Sequence, residues 1–288
     1  MGDILPEIQE QAKPPSEQRM MTFRTRIPAI SFFMLGVLLF SPSAGAWGRL
    51  GHRVASIMTE ERLTPHALAA VRDLLGPDVS LADISTWADE QRNYPGSAPW
   101  HYVDVPLSES RYNSRYCPPG GCVVSKIYDF RSVLQDKRAP RTEKQEALKF
   151  LVHFVQDLCQ PLHVGDSGSK GGNLIQVRFF SLGSNLHRVW DSQIIERYTT
   201  DGRELLEDLK GISIPAFADE WVKGTPEDWA TDSLQMAKKA YCLPGTQTVI
   251  PSGTALGDDY FRMALPMIQV QLAKAGVRVA WMLNQIFR

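Results

Sequence analysis

His153 and Asp157 stand four residues apart in the run Phe150-Leu-Val-His153-Phe-Val-Gln-Asp157. The surrounding apolar residues recur with a helical period, so both side chains project from one face of a helix. His187 and Asp191 repeat the spacing in a second stretch, and His163 follows the first pair just beyond Pro161. His52 and His101 bring five of the six histidines into this company. Neutral imidazole and ionised carboxylate are the nitrogen and oxygen ligands that zinc accepts, and a zinc site needs three or four of them to converge. One His-x-x-x-Asp pair is more often a surface pair or a polar core contact. Two pairs and three more histidines shift the balance toward a metal centre. Taken alone, Asp89 reads as a helix-face carboxylate, Gly171-Gly172-Asn173 as a turn, and His66 beside Pro65 as a solvated helix start.

The elements that must position these groups are mostly helices. Periodicity predicts helices over His52–Leu63, Pro65–Leu75, Leu81–Arg92, Leu186–Tyr198, Asp228–Tyr241 and Asp258–Asn284. The strongest is Thr142–Cys159, with Thr142 as a cap, an apolar stripe from Ala147 to Val155, and Pro161 as the stop. Residues 93–125 are rich in Pro, Gly, Ser, Tyr and Asn, and read as a long loop with a short strand at Trp100–Val105. Asn173–Phe180 reads as a strand. No repeat or long linker divides residues 47–288, so the expectation is one all-α domain with long loops and at most a short β-hairpin.

The first 46 residues read differently. Arg24 and Arg26 precede an apolar run from Ile30 to Phe40, too short to span a bilayer, and Ala44-Gly-Ala46 follows it. That pattern is a secretory signal peptide with cleavage after Ala46 and Trp47 as the mature N-terminus. The polar residues before Arg19 lie outside its normal proportions, so Met20 or Met21 is a candidate translation start. The expected location is periplasmic or extracellular, with no stable membrane association after cleavage. Export permits disulfides. Cys117 and Cys122 flank Pro-Pro-Gly-Gly and are the favoured pair, while Cys159 and Cys242 either pair or stay free. With 31 Lys+Arg against 32 Asp+Glu the net charge is -1, so bulk basicity does not hold a polyanion here. Metal ions remain open as the source of positive charge.

The blocks occur in a distinctive order. Trp47-Gly-Arg-Leu-Gly-His52 comes first, then Trp87-Ala-Asp89-Glu and Trp100-His101-Tyr102-Val-Asp. Next come the His153/Asp157 helix running on to Pro-Leu-His163, then Gly-Gly-Asn173, then Asn185-Leu-His187-Arg-Val-Trp-Asp191. In this order they resemble the S1/P1 nuclease family, which shares its fold with zinc-dependent phospholipase C. The stretch beginning at Gln271 is similar too, so the resemblance spans nearly all of residues 47–288.

The resemblance implies three Zn2+. Asp89, His101, His153 and Asp157 match the ligands of one ion, and His163, His187 and Asp191 those of a second. Trp47, through its terminal amine and carbonyl, joins His52 and Asp157 at the third. Asp157 then bridges two ions, as suits metals about 3.5–4 Å apart. Asp89 and Asp157 are the implied catalytic carboxylates, Asp89 orienting the attacking oxygen. Asn173 is implied at the scissile phosphate and Tyr102 where a ring stacks on a base, a contact worth about 1–3 kcal/mol and indifferent to sequence. The implied activity is hydrolysis of single-stranded DNA and RNA to 5′-phosphates, with 3′-mononucleotides as further substrates. Two rivals remain: a phospholipase C, which carries Glu where this chain has Asp191, and an exported zinc-binding protein without catalysis.

Overall fold

The computed structural model describes residues 47–91 and 94–288. The expected signal peptide and the alternative starts at Met20 and Met21 lie outside the described residues. Helices α1 (Arg49–Glu60) and α2 (Pro65–Leu75) come first, the latter capped by the Thr64 hydroxyl with Pro65 in its first turn. Where one helix over Leu81–Arg92 was expected, two short ones form, α3 (Leu81–Ile84) and α4 (Trp87–Glu90). The break falls at Ser85, whose hydroxyl bonds back to the Ala82 carbonyl. Its own carbonyl turns away from the helix to meet His153.

The long loop is largely as expected, but its strand is not. Ala98–His101 is a 3-10 turn, and only β1 (Val105–Pro106) pairs, in parallel, with β2 (Gly165–Asp166). The Cys117–Cys122 disulfide closes the Pro-Pro-Gly-Gly loop, and Cys159 and Cys242 are free and buried. Helix α5 (Val123–Gln135), which the sequence reading did not find, packs along α6 (Arg141–Leu158). Helix α6 begins one residue before Thr142, which therefore sits inside the first turn rather than at the cap. Beyond Pro161 the chain forms β3 (Gln176–Phe179) and β4 (Leu182–Asn185), an antiparallel hairpin that β5 (Thr254–Leu256) extends in parallel.

The Leu186–Tyr198 segment is helical throughout but not uniform. A π turn over Val189–Gln193 separates α7 (Leu186–Arg188) from α8 (Ile194–Tyr198). Helices α9 (Gly202–Ile212) and α10 (Pro215–Trp221) were not anticipated; α11 (Pro226–Ala240) and α12 (Asp258–Ile286) were. The fold is mostly helical. Helix α12 lies against α1 so closely that a Cβ at Gly276 would sit 3.0 Å from the Ala55 carbonyl. Phe130, Phe150 and Phe154 pack in one apolar cluster around α5 and α6. A second cluster gathers Trp47, Trp190 and Tyr260 with α8, α9 and α12. The C-terminal end of α6 and the turn after it run from the first cluster to the second, and every expected metal-binding histidine lies near that junction. Among the described residues, no helix is long and apolar enough to cross a membrane.

Candidate metal centre

Three groups of histidines and carboxylates converge among the described residues. They are His52, His153 and Asp157; Asp89, His101 and His153; and His163, His187 and Asp191. Within each group the ligand-type atoms lie within 4.8 Å of one another. Helix α6 places His153 and Asp157 on one face, as their spacing required, and α1 brings His52 against them. The Asp157 carboxylate serves both of the first two groups. Its Oδ1 is 3.5 Å from His52 Nε2, and its Oδ2 lies 3.0 Å from His101 Nδ1 and 3.2 Å from His153 Nε2. In the third group, His187 Nε2 is 3.1 Å from Asp191 Oδ2.

In four of the five histidines the other ring nitrogen is tied down. His153 Nδ1 donates to the Ser85 carbonyl at 2.7 Å, His163 Nδ1 to the His101 carbonyl at 2.8 Å, and His187 Nδ1 to the Gly171 carbonyl at 2.7 Å. The Gln156 amide nitrogen donates to the Ser56 hydroxyl, leaving its oxygen to accept from His52 Nδ1 at 2.6 Å. Each such bond places the proton on Nδ1 and leaves Nε2 with a free lone pair aimed inward, the outer-shell arrangement that orients metal-binding histidines. Gln160 does the same for a carboxylate, donating to Asp191 Oδ1 at 2.5 Å.

What those inward atoms lack is a partner. His52 Nε2, Asp157 Oδ1, His163 Nε2 and Asp191 Oδ2 are all buried without a hydrogen bond. One such atom is costly, and four in one region are what a bound cation would satisfy. The donor set, imidazole nitrogen with carboxylate oxygen, suits zinc. The residues fit the ions that the sequence implied.

Electrostatics sort the rings into two kinds: at His153 and His187 burial would lower the imidazole, but the neighbouring Asp157 and Asp191 carboxylates raise it. Burial pushes His52 down to about 4 and His163 down to about 3, so both rings are neutral at pH 7 and able to donate a lone pair. Burial alone would raise Asp89, but the His153 imidazole outweighs it and holds the carboxyl at about 2. Asp157, fully buried, is held well below the usual carboxylate range, chiefly by His153. Asp191 goes the other way, pushed up to about 6 by burial against the pull of His187. A divalent cation beside it would lower it again.

A cleft of about 650 Å³ opens over this region, with Asp89, His101, Tyr102, His163, Asn173 and His187 on its wall. Tyr102 is 39% exposed there, its ring free to meet a ligand. Asn173 is held by its own side-chain amide, which donates to the Lys170 carbonyl. Trp47 is fully buried, its indole N–H bonded to the Gln156 carbonyl on the helix that carries His153 and Asp157.

Residues 47–288, the whole described part of the chain, match the S1/P1 nuclease family. The chain belongs to the S1/P1 nuclease family. It is 34% identical to Endonuclease 2 of Arabidopsis thaliana, over 87% of this chain and 94% of that one. It is 31% identical to Nuclease P1 of Penicillium citrinum, over 83% and 97% respectively. Nuclease S1 of Aspergillus oryzae is 28% identical over 83% of this chain and 91% of its own. Membership makes this an enzyme, a phosphodiesterase of the nuclease class.

In this S1/P1 nuclease, sequence reasoning reached the inward-facing groups and missed most of what orients them. Gln156 and Gln160 carried a weak signal, as polar residues inside an apolar stretch. The carbonyls of Ser85, His101 and Gly171 carried none, because every residue has one. Gly171 is the exception in part. It sits at φ 61°, and a Cβ there would lie 2.7 Å from the Leu162 carbonyl and 3.2 Å from His187 Nδ1. Only glycine brings that carbonyl to the histidine.

Proposed function

We propose that this S1/P1 nuclease is an exported, three-zinc endonuclease. It hydrolyses single-stranded DNA and RNA to 5′-phosphorylated products and removes the phosphate from 3′-mononucleotides. The observation that carries this reading is the convergence of three His/Asp groups, with four partnerless buried ligand atoms, beneath one open cleft. Asp89, His101, His153 and Asp157 hold one ion, and His163, His187 and Asp191 a second. His52, Asp157 and the amine and carbonyl of Trp47 hold the third. Bound zinc supplies Lewis acidity, acidifying a coordinated water and offsetting charge on a phosphoryl group.

The chain's own residues do the rest. Asp157 contributes one oxygen to each of two groups and so fixes their spacing. Asp89 reaches the cleft wall from the deep cluster, ionised, and accepts a hydrogen bond from the attacking water to aim it at phosphorus. Asn173 donates to the phosphate under attack, and Tyr102 stacks on a base. Stacking needs bases free of a duplex, which favours single strands. A net charge of -1 draws no polyanion, so affinity is concentrated at this site. The Cys117–Cys122 disulfide supports folding in an oxidising compartment, in keeping with the signal-like segment before Trp47.

The test is an activity panel on protein beginning at Trp47, with and without chelator. The substrates are single-stranded DNA, single-stranded RNA, 3′-AMP and phosphatidylcholine. The first three are hydrolysed, a chelator abolishes all activity, and metal analysis finds about three zinc per chain. Hydrolysis of the lipid alone, or clearly fewer than two zinc under zinc-replete conditions, defeats the proposal.

A further inference from the structure

One cation lines the cleft among the described residues, and its backbone is unusual. Lys170 stands on the wall between His163 and Asn173, exposed, while the other formal charges lining the cleft are the carboxylates Asp89 and Asp104. No acidic side chain of the described residues pairs with it. Its φ is 56°, in the left-handed region that a residue with a Cβ rarely enters, and Gly171 and Gly172 continue at 61° and 84°. Glycine or asparagine fills such a position with less strain, so the backbone gains nothing from a lysine.

The loop around it is built rather than loose. Asp166 Oδ1 accepts from the Ser169 N–H at 2.9 Å, the Ser169 hydroxyl at 3.2 Å and the Gly171 N–H at 3.1 Å. The Ser169 hydroxyl in turn accepts from the Gly172 N–H at 3.0 Å. On the other side, the Asn173 amide donates to the Lys170 carbonyl at 2.9 Å. These bonds pin both flanks of Lys170, whose exposed side chain carries the one Lys or Arg charge among the cleft-lining residues.

We propose that Lys170 binds a backbone phosphate next to the one under attack and so favours strands over mononucleotides. This rests on the nuclease reading of the same cleft. The His/Asp groups account for the phosphate being hydrolysed, which meets them on the cleft wall at Asp89, His101, His163 and His187. A strand entering the cleft carries a second phosphodiester past the wall, where Asp104 would repel it. Lys170 is the one side chain of opposite sign there. A 3′-mononucleotide has no such neighbouring phosphate.

The experiment compares wild type with Lys170→Gly, Lys170→Met and Lys170→Arg on two substrates, single-stranded decathymidylate and 3′-AMP. Lys170→Gly relieves the backbone strain, so it separates charge from folding. The ratio of kcat/KM on the decamer to that on 3′-AMP falls about fivefold in Lys170→Gly and Lys170→Met, mainly through KM, as suits an exposed charge pair. Lys170→Arg retains the ratio. On the decamer, the dependence of log kcat/KM on log salt flattens by about 0.7 in the two neutral variants, the signature of one lost single-strand phosphate contact. An unchanged ratio and salt slope in Lys170→Gly overturns the proposal. An equal loss on both substrates also overturns it, assigning the loop to holding His187 instead. Wild-type protein inactive on both substrates in zinc overturns the nuclease reading, and this proposal with it.

Discussion

Asp157 spends its two oxygens on different neighbours, Oδ1 toward His52 and Oδ2 toward His101 and His153, whereas Asp191 serves one group and is braced by Gln160. Amide substitution at Asp157 therefore removes negative charge from two sets of donors at once. Asp157→Asn is expected to lower kcat/KM by about a hundredfold or more, and Asp191→Asn by about tenfold less than that. Zinc content measured beside the kinetics discriminates the cause. Near wild-type turnover with full zinc in Asp157→Asn would show that the carboxylate is not shared. At this scale the sequence was informative, because His153 and Asp157 sit four apart in a helix and face the same way by geometry alone. His52 had no such local cue beyond being one more histidine, and Asp89 entered only through the resemblance.

Elements decide whether those side chains meet. The loop from Asp166 to Asn173 delivers the Gly171 carbonyl to His187 through three left-handed residues in a row. Gly171→Ala puts a Cβ against the Leu162 carbonyl and adds left-handed strain, together about 1–2 kcal/mol. A fall in Tm of several degrees and up to one zinc lost per chain are expected; wild-type values for both would mean that the loop does not hold His187. Further off, Asp232 of α11 ties down α12 by pairing with Lys274 at 2.6 Å and Arg278 at 3.0 Å. Burial would raise the Asp232 carboxyl, but Arg278 and Lys274 hold it below the usual carboxylate range. A carboxyl depressed in the folded state stabilises above its unfolded pKa, and the contribution is lost as pH falls through that value toward the folded one. Asp232→Asn strands two buried cations and is expected to cost about 2–3 kcal/mol at pH 7. In urea unfolding the gap from wild type narrows below about pH 4. A gap independent of pH would separate the ion pair from stability.

For the molecule as a whole, the point at which the chain begins matters. Trp47 is sealed in the second apolar cluster with its indole bonded to the helix of His153 and Asp157. Its main-chain nitrogen is an amine only if the chain starts there; within a longer chain it is an amide whose lone pair is delocalised and a very poor ligand. Protein starting at Trp47 is expected to hold one more zinc than protein carrying a single extra Ala before it, and to turn over single-stranded DNA faster. Equal zinc and equal turnover would remove the amine from the ligand set. Activity would then not depend on cleavage after Ala46.

By itself the sequence determined what repeats over short distances. Helical period placed α2, α6, α11 and α12, Pro161 ended α6, and the turn-rich tetrapeptide between Cys117 and Cys122 selected that disulfide. It also set the two His-x-x-x-Asp pairs, since four residues make about one helical turn. Helix α5 escaped because its buried apolar positions are interrupted by exposed Tyr128 and half-buried Phe130, and the break at Ser85 escaped because its cause lies elsewhere. His153 reaches the Ser85 carbonyl across 68 residues of sequence, and His163 reaches that of His101 across 62. Only tertiary packing decides such pairings, because a backbone carbonyl has no identity until a fold brings a donor to it. The same packing buried Nε2 of His52 and His163 and an oxygen each of Asp157 and Asp191 without partners, turning scattered ligand-type residues into one place fit for cations.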